Sequence, residues 1–263
     1  MVQVTNDAKG YHLDFTRRDI EGTKIALLPG DPFRVPEVAT AIQEIYGGVV
    51  KELAWNREFR TFLCSFDTIS IVVTSTGIGG PSASIAIEEL AMVGIDTFIR
   101  VGTTGAIQEH IAIGDVIITA GSVRLDGAST HYAPIEYPAV AHYEIVNALI
   151  AGAEAAAITY HVGVTASSDT FYPGQERYDS FSHYVSAKFR GSLNEWRILH
   201  VLNFEMESST LLTLTASMGL RGGCVSGVLC NRVSDERITE DTVRAGEGNA
   251  IAVAVASLRN LLD

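Results

Sequence analysis

Short β-branched runs alternate with amphipathic stretches along this chain, and that alternation restricts the fold more than any other feature. Residues 24–28, 69–75, 97–101, 115–119, 159–165, 201–204 and 223–229 read as strands. Between them, Val35, Val38, Ala39, Ile42 and Ile45 form one apolar helical face, and Ile85, Leu90 and Val93 belong to another. Residues 142–157, 208–218 and 239–262 read as further helices. Pro32 and Pro81 each stand just inside an expected helix start, where a missing amide proton costs no hydrogen bond. No linker, repeat or low-complexity tract divides the 263 residues. The pattern predicts a single α/β domain over 1–263, a mixed central β-sheet flanked by helices, with ligands gathered at strand C-terminal ends. Segments 121–140 and 169–195 are too long and polar for plain connections and are expected to be substrate loops.

Charge narrows the ligand. The chain carries 31 acidic against 19 basic residues, a formal net charge of −12 that repels nucleic-acid backbones and anionic lipid surfaces. Neither nucleic acid nor a membrane is expected as a partner. A small anion remains open, because a few converging arginines override the bulk field locally. Cys64, Cys224 and Cys230 are odd in number and lack a CxxC pair, so they read as buried free thiols of a reducing compartment. Residues 1–10 lack an apolar stretch of signal-peptide type, and no run approaches the roughly 18 apolar residues of a membrane span. The expected location is cytoplasmic.

Four motifs carry chemistry. Pro29-Gly30-Asp31-Pro32-Phe33-Arg34 is a strand end, a glycine turn and a helix start bearing an arginine, which together offer backbone amides and a cation to an anion. A plain βα turn with a surface arginine would look the same. In Phe98-Ile99-Arg100-Val101-Gly102-Thr103-Thr104-Gly105, an arginine interrupts an apolar strand, and a buried arginine needs an anionic partner. Phosphate held by Arg100, Thr103 and loop amides would supply it; a structural arginine–carboxylate pair is the alternative. Glu205-Met206-Glu207 stands at a strand–helix junction, where carboxylates accept from ribose hydroxyls or simply favour the helix dipole. Residues 166–178 bring Phe171, Gln175 and Arg177 into one loop, suited to stacking on a flat heterocycle and reading its edge, although a mobile surface loop has similar composition. Asn231-Arg232 ends another strand with a further cation.

Other chemistries lack their motifs. There is no GxxxxGK[ST] phosphate loop, no GxGxxG after a strand, no HExxH or His/Cys zinc spacing and no GxSxG elbow.

Taken in order and spacing, Gly30-Asp31-Pro32, the 100–105 segment, the 171–177 segment and Glu205-Met206-Glu207 resemble the nucleoside phosphorylase family, on its pyrimidine-cleaving, hexameric bacterial side. The resemblance runs from about His12 to the last helix. It implies reversible phosphorolysis of uridine to uracil and ribose 1-phosphate, a pentosyl transfer with phosphate as co-substrate and no required cofactor. It implies a phosphate site of Gly30, Arg34, Arg57, Arg100 and Thr103, with Arg57 and His12 reaching across from a neighbouring subunit. Ribose contacts would be His12, Thr103, Glu205, Met206 and Glu207; base contacts would be Thr104, Gly105, Phe171, Gln175, Arg177 and Arg232. Catalysis would rest on Arg100, Arg34, Arg57, His12 and Arg232. The same resemblance implies a homo-hexamer, a trimer of dimers with shared active sites, and a structural potassium ion at Glu58, Ile78 and Ser82.

The chain departs from that pattern at 233–237. Val233-Ser234-Asp235 is similar to the Ser-Asp pair that protonates a purine in related enzymes, so a purine nucleoside phosphorylase, a nucleosidase and a non-catalytic nucleoside-binding protein are the rival readings. His131 and His183 are expected to be solvated surface residues.

Overall fold

The structure is a computed structural model and describes residues 9–262, so most of the 1–10 stretch that bears on targeting lies outside the described residues. β1 (Ile25–Pro29) is buried along its whole length. Ile25 and Leu27 enter one apolar cluster, and Ala26 and Leu28 enter another. A strand that is apolar on both alternating faces needs cover on both. α1 (Val35–Tyr46), α3 (Tyr143–Ala155) and α6 (Glu240–Ser257) cover the first face; α2 (Gly80–Met92) and α5 (Ser208–Ser217) cover the second.

The remaining strands are β2 (Val49–Asn56), β3 (Phe59–Phe66), β4 (Ile69–Thr74), β5 (Thr97–Ala106), β6 (Val116–Leu125), β7 (Ala139–Val140), β8 (Tyr160–Ser168), β9 (Asn203–Glu205) and β10 (Arg221–Asn231), with short helices α4 (Ser192–Ile198) and α7 (Arg259–Leu262). They form one mixed sheet in the order β10-β6-β8-β9-β5-β1-β4-β3-β2, with β7 beside β6. The expected mixed sheet flanked by helices is therefore present. Its closure was not expected: β10 pairs antiparallel with β6 and parallel with β5, so β10, β6, β8, β9 and β5 form a ring. That ring gathers β5, β8, β9 and the end of β10 around one opening.

The structure differs from the sequence reading in four places. The hairpin β2–β3 escapes apolar alternation because β2 is an edge strand with Lys51, Glu52 and Trp55 exposed. β5 does not stop at Val101 but continues to Ala106, since β10 pairs with it through Gly102, Thr103, Thr104 and Gly105. Those residues are strand, not a loop beyond a strand. Pro32 lies in the turn before α1, and Pro36 occupies the first turn of that helix; Pro81 does stand in the first turn of α2. The two long segments are also partly regular, with residues 121–125 extending β6 and α4 beginning within 169–195. All three cysteines are buried and free, and His131 and His183 are exposed.

The crossing of α6 over β10 is set by two glycines. A Cβ on Gly227 would lie 1.8 Å from the Gly246 carbonyl oxygen, with further Gly246 backbone atoms at 2.3 and 2.8 Å. Backbone cannot yield there as a flexible side chain can. Gly227→Ala should therefore destabilise the protein by about 1–3 kcal/mol through overpacking, seen as a lower midpoint in thermal or denaturant unfolding; an unchanged midpoint would contradict this account of the crossing.

Candidate active site

A cavity of about 650 Å³ opens where the C-terminal ends of β1 and β5 meet the β9–α5 junction. Gly30, Arg34, Arg100 and Thr103 line one part of it, Glu205, Met206 and Glu207 another. Thr104, Gly105, Phe171, Gln175 and Arg177 also line it, joined by Cys230, read from the sequence only as a buried thiol, and by Leu229 and Ile238, which sequence reasoning did not single out. Glu58, Ile78 and Ser82 sit at the same cavity.

Arg100 is 7% exposed, and its partners are carboxylates of the chain itself. Its Nη2 donates to Glu207 Oε2 at 2.5 Å, Nη1 donates to Thr76 Oγ1 at 3.2 Å, and Nε lies 3.7 Å from Glu205 Oε2. The structural pair posed as the alternative for Arg100 thus exists, and it stands in the cavity wall. Gly30 lies directly against it, its Cβ position 3.5 Å from the guanidinium, an ordinary contact distance. The Thr103 hydroxyl has no partner among the described residues and is uncommitted, whereas Thr104 Oγ1 is fully engaged, donating to the Phe204 carbonyl at 2.6 Å and accepting from Asn203 Nδ2 at 2.7 Å.

The two carboxylates of Glu205-Met206-Glu207 do different work. Glu205 accepts from the backbone amides of Glu207 and Ser208, both at 2.9 Å, and from Ser208 Oγ at 2.6 Å. It satisfies the otherwise unpaired amides that open α5. Glu207, at the N-cap position, accepts from the Gly79 amide at 2.6 Å and from Arg100, and it lines the cavity. Burial pushes its carboxyl up, Arg100 holds it back, and Glu205 pushes it up again.

The 169–178 segment is anchored, not a loose loop. Its 3₁₀ turn, Pro173–Gln175, is followed by Glu176 at φ 53°, whose carboxylate accepts from the amides of Gly191 at 2.5 Å and Leu193 at 2.7 Å and so ties the turn to α4. Gln175 is 3% exposed, and Arg177 stacks over the Phe171 ring at 4.5 Å with its Nε buried and unpartnered. Arg232 does not line the cavity. It stands behind it, donating from Nη1 to the Gln175 carbonyl at 2.7 Å and from Nε to Glu236 Oε1 at 2.9 Å, and Gly105 leaves room for its stem. Burial lowers its guanidinium from the usual arginine range, the Arg177 charge adds to that, and Glu236 opposes it.

Arg57 and His12 also lie outside the cavity wall of this single chain. Arg57 is exposed at φ 55° in the β2–β3 turn, without a side-chain partner among the described residues. His12 is held by Glu89, whose carboxylate lies 2.7 Å from Nδ1 and accepts the His12 and Leu13 amides at 2.9 Å. Glu89 had no distinguishing signal in sequence: in Glu88-Glu89-Leu90 it reads as another acid on a helix. Among the described residues, no cluster of three or more His, Cys, Asp or Glu side chains is disposed to hold a metal ion.

Removing Arg100 leaves Glu205 and Glu207 buried without a cation, so Arg100→Ala should cost about 3–5 kcal/mol of stability. Without Arg100, the Glu207 carboxyl rises further, and the folded chain holds a proton that the unfolded chain releases. Stability of the variant then falls as pH rises from the ordinary carboxylate range through the raised value. The deficit against wild type should widen as pH rises above the ordinary carboxylate range in denaturant titrations; a deficit independent of pH would contradict the coupling.

Comparison with known proteins agrees with this geometry. A family model described as the phosphorylase superfamily matches residues 24–262. The chain is 52% identical over 252 residues to a uridine phosphorylase of Escherichia coli (strain K12), covering 96% of this chain and 98% of that protein. It is 51% identical, with the same coverage, to a uridine phosphorylase of Klebsiella aerogenes. It is 34% identical to a guanosine phosphorylase of Halorubrum lacusprofundi over 89% of both chains. With a buried arginine–carboxylate wall on the cavity and a family match over nearly its whole length, the chain belongs to the phosphorylase superfamily.

Proposed function

We propose that this protein is a uridine phosphorylase, a pentosyltransferase that converts uridine and phosphate reversibly to uracil and ribose 1-phosphate. The observation that carries the reading is one cavity holding both Arg100 with Glu207 and the Gln175–Arg177–Phe171 cluster. The first set suits an anion beside a diol, and the second suits a flat base with carbonyl edges.

In this reading, phosphate is already an anion and attacks the anomeric carbon without a protein nucleophile or deprotonating base. The bond from C1′ to the base nitrogen breaks, a bond from a phosphate oxygen to C1′ forms, and the electron pair leaves on uracil. Arg34, Arg100, Thr103 and the Gly30 backbone hold phosphate, Met206 and Glu207 hold ribose, and Gln175 and Arg177 stabilise the departing base. Arg232 acts through Gln175. Catalysis then comes from proximity and preorganised charge.

Arg57 and His12 enter this scheme only from a neighbouring subunit. Neither lines one chain's cavity, and Arg57 is exposed, which supports a dimer-built hexamer with shared sites. For potassium, the oxygens are suitable: Ser82 Oγ donates to the Thr76 carbonyl at 2.6 Å and lies 3.1 Å from Glu58 Oε1. Glu58, Ser82 and the Ile78 backbone would hold the ion as a structural charge between subunits. Among the described residues no helix is long and apolar enough to cross a membrane.

The purine reading is weaker on one specific observation. Asp235, which would have to carry a proton to a purine, is bound by Arg237 at 2.8 and 2.9 Å, and those bonds hold its carboxyl down at about 2. It does not line the cavity.

Two measurements check the proposal. Uridine should be cleaved in phosphate buffer far faster than inosine, and comparable turnover of inosine would favour the purine reading. Co-expressed Arg57→Ala and Glu207→Gln chains should recover activity that neither variant has alone, because a mixed dimer rebuilds one complete site; no recovery would contradict site sharing.

A further inference from the structure

Arg34 reaches the cavity from the N-cap of α1, and its side chain is 12% exposed. One end is already fixed: Nη2 donates to Glu247 Oε1 in an ion pair with α6. Its Nε is buried with no hydrogen-bond partner among the described residues. A buried guanidinium nitrogen lacking an acceptor calls for one that the ligand supplies. Glu247 does not line the cavity, so it meets Arg34 from behind.

The backbone makes this arrangement deliberate. Gly246 packs against β10 so closely that a Cβ there would lie 2.7 Å from Leu229 Cδ2 and 3.1 Å from the Val228 carbonyl oxygen. The close approach of Gly246 and Gly227 brings α6 down onto the sheet and sets the next residue, Glu247, within reach of Arg34. An arginine has several rotatable bonds, and an unheld one would spend most of its time away from a bound anion.

We infer that Glu247 is a positioning residue for the co-substrate phosphate: it anchors one edge of the Arg34 guanidinium so that the other edge meets the anion. This rests on the proposal that Arg34 binds phosphate. Glu247 also brings a negative charge near a dianion, which opposes binding; the sign of its removal therefore separates anchoring from simple charge.

The experiment compares Glu247→Ala, Glu247→Gln and Arg34→Ala in the full-length enzyme, varying inorganic phosphate and uridine separately. Loss of the anchor should raise the KM for phosphate about tenfold in Glu247→Ala, less in Glu247→Gln, which keeps an acceptor, with the KM for uridine within about twofold. An unchanged or lower phosphate KM would overturn the inference, as would equal shifts in both KM values together with a lowered melting temperature in Glu247→Gln. If Arg34→Ala leaves the phosphate KM unmoved, the phosphate role of Arg34 fails, and the inference falls with it. If Arg34→Ala raises it and neither Glu247 variant does, only the inference fails.

Discussion

The buried contact of Arg100 with Glu207 and Glu205 is the interaction on which the cavity depends. Two carboxylates and a guanidinium are all less than a tenth exposed. Each would be costly alone, and their mutual bonds, together with the amides of Gly79, Glu207 and Ser208, make the group tolerable. The contact also joins β5 to the start of α5, so the same atoms that would meet phosphate and ribose hold the cavity wall together. Stability and function cannot be separated at Arg100, and a dead variant there speaks to both.

The sheet supplies the geometry for that contact. Because β10 pairs with β5 as well as β6, β5 is drawn into a ring rather than left in an open sheet, and its last residues, 102–106, are held as strand. Thr103 and Gly105 are presented from a rigid element, with Arg232 packed behind Gly105 and bonded to the Gln175 carbonyl. The Pro173–Gln175 turn, proposed to meet the base, is equally well held, since Glu176 ties it to α4. The site is thus built mainly from pre-organised parts, which suits a reaction whose barrier falls through placement of charge.

Much of this was legible in the sequence where local chemistry is distinctive. An arginine inside the apolar run Phe98–Val101 demanded an anionic partner, and Glu205 and Glu207 at a strand–helix junction were evident beside it; what the sequence left open was that they would pair with each other. The helices over Val35–Ile42 and 208–218 followed from apolar spacing. The hairpin β2–β3 did not, because an edge strand with mixed polarity lacks alternation. The ring closure did not, because a second partner for β10 leaves no mark on its own residues. Glu89, Glu236 and Glu247 were invisible for the same reason: each is an ordinary acid until the fold brings His12, Arg177 with Arg232, or Arg34 against it.

The central claim is that phosphate itself attacks the sugar in the cavity walled by Arg100 and Glu207. Turnover of uridine with oxygen-18-labelled inorganic phosphate tests it most directly. The account predicts uracil together with ribose 1-phosphate whose bridging oxygen carries the label. Unlabelled free ribose as the sugar product, or no cleavage with phosphate present, would contradict it.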